Sequence, residues 1–542
     1  MSLIFIDNPK GEAPAVEPTL LPNNNAQTAR NVRLTSGRID PLRQSVLNWT
    51  ATKAGVINSI YRFAADTANP YWFHWLDEVD AVRSPINSDI TERTYFAGVG
   101  VPPQVTDNSI AVQGGTLYPM NAYLLGIPAP AVAPAVSATP NADQALNETT
   151  TYTYTYVSAM GEEGAPSPSS ALVDMDTEAL SVALSNMSGV PTGNYNIASK
   201  RIYRAASSLS GTDFQFVAEV PVAQATYTDT TTTDALGEVI VSNNYDMPPS
   251  TMHGLVSMPN GIVAGFDGND LLFSEPFQPH AFPIPYRLST DYPIVGLAAF
   301  GSSIAVLTTN APYIVTGVHP SGMSMDKLEL NQSCVAKRGI VDMGAFILYP
   351  SPDGLVSIGS GPAGVITRKL FTRDEWQALN PSSMHAYSID GMYICFYDNG
   401  VTQAGFILDP FNPDVGISHV DQYATAGFTD TVNDALYLVD SVSGDIVEWN
   451  AIGQPNLQAT WKSKKFIGSP TNYSSMKVQA LNYPVTVKVS ADNVLKHTQQ
   501  VLSSGVFRLP SGFMAETWEI EVSGVNAIQS IQMATAVAEL KR

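Results

Sequence analysis

Short runs rich in Val, Ile, Tyr, Phe and Thr recur along most of the chain, each bounded by Gly, Pro, Asn or Asp. The pattern predicts strands joined by tight turns. β-Branched and aromatic side chains fit a pleated surface, and Gly, Asn and Asp accept turn backbone. Alternation is cleanest in Tyr152-Thr153-Tyr154-Thr155-Tyr156-Val157-Ser158-Ala159. Helical periodicity is scarce. The clearest helical stretch is 372–377, where Thr372 is placed to cap and Glu375 to close a capping box. It predicts a short connection between strands.

Five segments share one pattern: a turn residue, an apolar strand, a polar turn and a second apolar strand. They begin at Asn260, Gly301, Gly344, Asp390 and Asn433, so the starts lie 41, 43, 46 and 43 residues apart. The second strands cover 271–274, 312–315, 354–358, 404–409 and 444–449. A period of roughly 40–50 residues, with several strands in each, is the signature of propeller blades. Upstream, 60–63, 71–76 and 93–98 read as three successive strands and predict one further blade. The expected ring has five or six blades.

The ring is interrupted once. Residues 128–140 are rich in Pro and Ala, a semi-rigid linker by composition. The alternating strand at 152–159, the turn at 161–168 and strands near 200–205, 214–220 and 225–230 follow it. Their order resembles a fibronectin-type-III-like sandwich that closes at Met247-Pro248-Pro249. After Trp449 the strands lengthen, as in 485–489 and 517–522. The expected class is therefore all-β: a β-propeller with an inserted fibronectin-type-III-like β-sandwich and a C-terminal β-domain. The expected boundaries are 1–129 for an N-terminal segment and first blade, 130–247 for the insert, 248–455 for the remaining blades, and 456–542 for the C-terminal domain.

Composition narrows the picture. A chain of 542 residues suits two to four domains. Hydrophobic residues make up 44%, which is globular, while charged residues make up only 14%, against about 25% in ordinary soluble proteins. Such a surface suits an assembly component. The net charge of −21 opposes phosphate-gripping DNA binding, which depends on Lys and Arg. It allows either plain solubility or an acidic channel wall that repels a sliding duplex. Cys334 and Cys395 cannot form a disulfide framework for this length, and both lie in apolar runs that predict buried, inert thiols. Residues 1–7 lack a basic region and a long apolar run, and Gly and Ser break up 294–308. Neither a signal peptide nor a membrane span is expected, so synthesis and assembly in a cytoplasm are.

Catalytic signatures are lacking. There is no phosphate loop, nucleophile elbow or paired-Cys zinc pattern. The histidines His74, His253, His280, His319, His385, His419 and His497 have no ligand spacing and read as packing or surface residues. Ser351-Pro352-Asp353-Gly354 reads as a turn, as does Asp267-Gly268-Asn269-Asp270, whose oxygens otherwise suit calcium. Tyr71, Trp72, Phe73 and Trp75 read as buried on both faces of a strand, in preference to a sugar platform. No catalytic residue, cofactor or metal is expected, and the chain is not expected to be an enzyme. Basic residues are few, yet Arg30, Arg33, Arg38 and Arg43 fall within fourteen residues. They read either as a solvated face or as contacts to an acidic neighbour, where Arg is the preferred partner. They are the candidate assembly residues.

Three stretches carry a resemblance. One runs from Asn31-Val32-Arg33-Leu34 to Gly37-Arg38-Ile39-Asp40-Pro41. The second is Gly265-Phe266-Asp267 with Leu272-Phe273-Ser274-Glu275-Pro276 and His280-Ala281-Phe282-Pro283, where Phe282 stands in place of the more usual Trp. The third is Val335-Ala336-Lys337-Arg338-Gly339-Ile340-Val341 leading into Tyr349-Pro350-Ser351-Pro352-Asp353-Gly354-Leu355. Together they resemble the nozzle proteins of podophage tails, often called tail tubular protein B. The resemblance implies a virion protein forming a homohexameric ring of propellers below an adaptor ring. It implies tail fibres docked near that junction, genomic DNA passing through without specific binding, and contact with the host envelope at infection. The competing reading is a receptor- or glycan-binding virion propeller at a fibre or tail tip.

Overall fold

Turn residues between short apolar runs produce antiparallel strands throughout. The computed structural model describes residues 3–540, apart from 65–66, 68–69, 88, 209–210 and 360. Strand accounts for 46% of the chain and helix for 6%, so the fold is all-β. The sequence repeats mark central blade strands. Ile262–Asp267 pairs with Asp270–Phe273, Phe346–Ser351 with Gly354–Gly359, Met392–Asp398 with Gln403–Leu408, and Ala435–Asp440 with Ile446–Glu448. Ser303–Thr308 and Tyr313–Thr316 are the strands of the remaining repeat. Outer strands complete four-stranded antiparallel blades, such as His253–Met258 and Leu288–Ser289 around the first pair. This is the repeating unit of a β-propeller. The last blade takes its fourth strand, Val46–Trp49, from far upstream.

The chain divides into two compact units, residues 77–304 with 315–326, and residues 1–76 with 305–314 and 327–542. In the first, Val79–Arg83, Thr94–Gly98, Val101–Thr106 and Tyr123–Leu124 form one blade. Its core side chains Val82, Tyr95 and Val105 pack with Leu255, Val263 and Phe282 of the next. The three upstream stretches expected to share a blade are therefore split. Ser59–Phe63 pairs with Tyr71–Trp75 in a separate two-stranded sheet. Thr94–Gly98 instead takes Val79–Arg83 as its neighbour, a strand whose apolar pattern is interrupted by Asp80 and Arg83.

Within the same unit, residues 135–229 form three small sheets. Tyr152, Tyr154, Tyr156, Val182, Leu184 and Ile202 share one core there. Alternation along Tyr152–Ser158 predicts one solvent face, yet all seven residues are buried. The segment after the strand folds back over its threonine face. Thr153 Oγ1 donates to Ser167 O (2.8 Å), and Thr155 Oγ1 donates to Glu163 Oε1 (2.7 Å). The start and finish of this insert lie side by side: a Cβ on Gly126 would come within 2.7 Å of Met247 Cβ.

In the other unit, the blade His385–Ile389, Met392–Asp398, Gln403–Leu408 and Ile417–Val420 continues through Ala26–Arg30 into Ala459–Ser463, Ala515–Gly524, Val485–Ala491 and Val494–Val501. A second sheet runs Leu3–Ile6, Ile528–Ala534, Ser475–Ala480 and Phe507–Arg508. Both contribute to one core that includes Ile4, Trp461, Val487, Ile520 and Met533. The N-terminal strands are thus built into the C-terminal sheets. The short helix Arg373–Ala378 has the expected capping box between Thr372 and Glu375. Trp72, Phe73 and Trp75 are buried, with Trp72 edge-on to Tyr437 at 4.9 Å and Phe73 stacked on Phe63 at 4.6 Å. Arg62 lies over the Trp72 and Tyr437 rings and pairs with Asp430 at 2.7 Å. Cys334 and Cys395 are free and buried, and burial pushes the Cys334 thiol up to about 12.

Candidate functional site

The arginine-bearing segment alternates buried aliphatic side chains with basic ones. Val32, Leu34, Ile39 and Leu42 are buried, and the arginines between them stay partly exposed. Ala26–Arg30 is hydrogen-bonded on both sides, antiparallel to Ala459–Ser463 and parallel to Ile417–Val420 at Arg30 and His419. Asn31 then turns the chain at φ 55°, a left-handed conformation that Asn tolerates better than most residues. Its side chain fixes the turn, donating to Asp421 Oδ2 (2.8 Å) and Gln458 O (3.2 Å) and accepting from Asp421 N (3.1 Å). Val32, Leu34 and Ile39 enter the C-terminal core, while Leu42 enters a blade core with Phe396, Leu438 and Trp449. The segment therefore joins two cores within its unit.

Three of the four arginines meet aspartates of their own chain. Arg30 pairs with Asp421 (3.2 Å), Arg33 with Asp390 (3.0 Å) and Arg38 with Asp40 (2.6 Å). Arg43 is placed by its backbone, whose N–H donates to Asn450 Oδ1 at 2.8 Å. The Arg30 and Asp421 side chains are both more than half exposed. Such pairs contribute little to stability, on the order of 0–1 kcal/mol, and leave guanidinium edges open to a partner. Beside Arg33, a crevice walled by Leu34, Met392 and Trp449 has a volume of about 30 Å³. That is room for about one water molecule.

A second charged cluster went unmarked in the sequence because its members come from three distant segments. Arg93 pairs with Asp89 (2.7 Å) and Glu162 (3.4 Å). His280, from the Ser274–Pro283 phrase, is buried and donates through Nε2 to the Glu163 carbonyl at 2.9 Å. Burial pulls its pKa down, against the nearby Glu162 charge. The cluster ties the insert to both flanking blades of its unit. Among the described residues, no group of three or more His, Cys, Asp or Glu side chains is placed to hold a metal ion.

No protein-family model and no curated protein matches the sequence. Among solved structures, BBS1N in complex with ARL6DN matches at 11% identity over 70% of this chain and 98% of that one, with a TM-score of 0.27. YCF48 from Cyanidioschyzon merolae matches at 10% identity over 67% and 95%, with a TM-score of 0.25. An exo-beta-1,3-galactanase from Phanerochaete chrysosporium matches at 9% identity over 90% and 100%, with a TM-score of 0.19. These are likenesses between strand-rich chains; the blade assignment rests on the strand pairing described above.

Proposed function

We propose that this chain is a structural virion protein, the distal nozzle of a short phage tail, acting as a channel and gate for DNA ejection. The observation that carries the reading is the place of the three resembling phrases. Each sits at a joint of the fold. The first forms the arginine segment between two cores. The second supplies Phe282 to the packing between two blades and His280 to the anchor of the insert. The third supplies Val341 and Leu355 to a core shared with Tyr393 and Phe406 of the following blade. A part that stays passive while DNA passes needs joints more than reactive groups, and its low charge content suits a surface covered by neighbours. In this reading the chain forms a homohexameric ring below an adaptor ring, carries fibres at that junction and meets the host envelope at infection. Arg30, Arg33, Arg38 and Arg43 face the adjoining protein.

Electron cryomicroscopy of intact tails tests this. Six copies around the DNA exit, below a wider ring, are expected. Three copies at a fibre tip would replace the nozzle with a receptor- or glycan-binding propeller, and absence from the particle would remove both readings.

A further inference from the structure

The insert carries a cavity of about 360 Å³ on one face of its Ile197–Ser208 and Gly211–Pro221 hairpin. This lies within the usual range for small-molecule sites, about 300–1,000 Å³. Its wall is preformed. Residues 237–241 lie along the hairpin, held by Gly237 N to Phe216 O (2.8 Å), Phe216 N to Glu238 O (2.9 Å) and Ile240 N to Phe214 O (2.8 Å). Tyr203 and Phe216 meet edge to face in the lining, 6.0 Å between centroids. Gly237 packs closely on this wall: a Cβ there would approach the Phe216 ring to 3.0 Å.

The polar lining is a connected network. The Glu163 carboxylate, nine-tenths buried, accepts from Tyr203 OH (2.7 Å), Thr155 Oγ1 (2.7 Å) and Arg201 Nη1 (2.9 Å). Arg201 Nε donates to Glu219 Oε2 (3.0 Å), whose other oxygen accepts from Ser199 Oγ (2.5 Å). The Ser199 hydroxyl and the Arg201 charge hold the Glu219 carboxyl below its usual range, so it remains an acceptor near neutral pH. The guanidinium is fixed between two carboxylates with donors to spare, since Arg carries five.

This chemistry selects its ligand. Glu163, Glu219 and Glu238 repel an anion. A cation would compete with Arg201 for carboxylates already paired to it. A neutral molecule with several hydroxyls can donate to the carboxylates and accept from the guanidinium without breaking either ion pair. If it also has an apolar face, that face covers Phe216 and Val239. A sugar ring has all of these properties. We propose that this cavity is a saccharide-binding site, a recognition function of the insert that does not depend on the nozzle reading.

Saturation-transfer NMR of the full chain with free glucose, galactose, mannose, N-acetylglucosamine and rhamnose tests the site. At least one sugar is expected to give a saturable response with a Kd of roughly millimolar, the affinity of a few hydrogen bonds and one stacked face. Phe216→Ala and Gly237→Leu are each expected to weaken it tenfold or more. Glu219→Gln, an exposed change that leaves the wall intact, should weaken it several-fold and covers the case in which the wall variants do not fold. The proposal is overturned if no sugar saturates by about 20 mM. It is equally overturned if the folded variants bind like wild type, or if lysine methyl ester binds in place of the sugars, which would make the cavity a cation site.

Discussion

At the scale of single residues, the same ion-pair chemistry has different consequences according to burial. Arg33–Asp390 and Arg38–Asp40 are part-exposed pairs, whereas Arg62 is about one-eighth exposed and its partner Asp430 is buried. Replacing Arg33 and Arg38 together with Ala should change unfolding free energy by no more than about 1 kcal/mol, while reducing recovery of the protein in assembled tails. Arg62→Met should cost about 3–5 kcal/mol in chemical denaturation, because Asp430 is left buried without its cation. Equal melting shifts in the two variants would contradict this ordering. A pH effect follows from His385, whose ring lies 5.3 Å from Phe396 and 6.0 Å from Tyr423. Burial, helped by the Arg338 charge, pulls its pKa down to about 3. The folded value lies below the ordinary 6.5, so the neutral ring's contribution is complete above about pH 6.5. It is lost as the pH falls from there toward about 3, at about 1.4 kcal/mol per pH unit. His385→Phe should therefore lose less melting temperature than wild type between pH 7 and pH 5. Parallel curves would show that other groups set the acid sensitivity.

At the scale of elements, legibility follows burial. The first strand of each central pair is buried on both faces along most of its length, so it appears in the sequence as a continuous apolar run with a regular period. Outer strands such as Leu288–Ser289 and Gly364–Val365 are two residues long and too short to leave a pattern. Val46–Trp49 is partly exposed and pairs with a strand some 400 residues away in the sequence. The arginine segment was visible as a concentration of one residue type. Its partners Asp390 and Asp421 were not, since only the fold brings them near. The cavity of the insert was invisible for the same reason: Glu163, Arg201, Glu219 and Glu238 lie on separate segments. The insert also supports a prediction of its own. Its core residues belong to a separate cluster from those of the flanking blades, and a Cβ on Gly126 would run into Met247. Removing about 130–247 and bridging the ends with a short linker should leave a soluble, strand-rich protein by circular dichroism, somewhat less stable because His280 and Arg93 lose Glu163 and Glu162. A wholly insoluble product beside a soluble full-length chain would show that the insert is integral to its neighbours.

At the scale of the whole molecule, charge sets the expected behaviour toward DNA. Each copy carries −21, and phosphate neutralisation by Lys and Arg supplies most non-specific affinity. The isolated protein should give no duplex retardation at about 100 mM salt in a gel-shift assay. Tight, salt-sensitive binding would count against a passive channel. The strand pairing also has a consequence for synthesis. Leu3–Ile6 leaves the ribosome well before its partner Ile528–Ala534, which is more than 500 residues behind. At about 5–20 residues per second, that edge waits roughly half a minute to two minutes for its mate. Ala26–Arg30 and Val46–Trp49 wait nearly as long for Ala459–Ser463 and Ile446–Glu448. These three strands are thus made long before they can be paired, and a nascent chain stalled before residue 440 would expose three unsatisfied edges at once. Translation of this message should therefore place unusual demand on ribosome-associated holdases, and premature termination should yield aggregates in preference to shortened folded fragments.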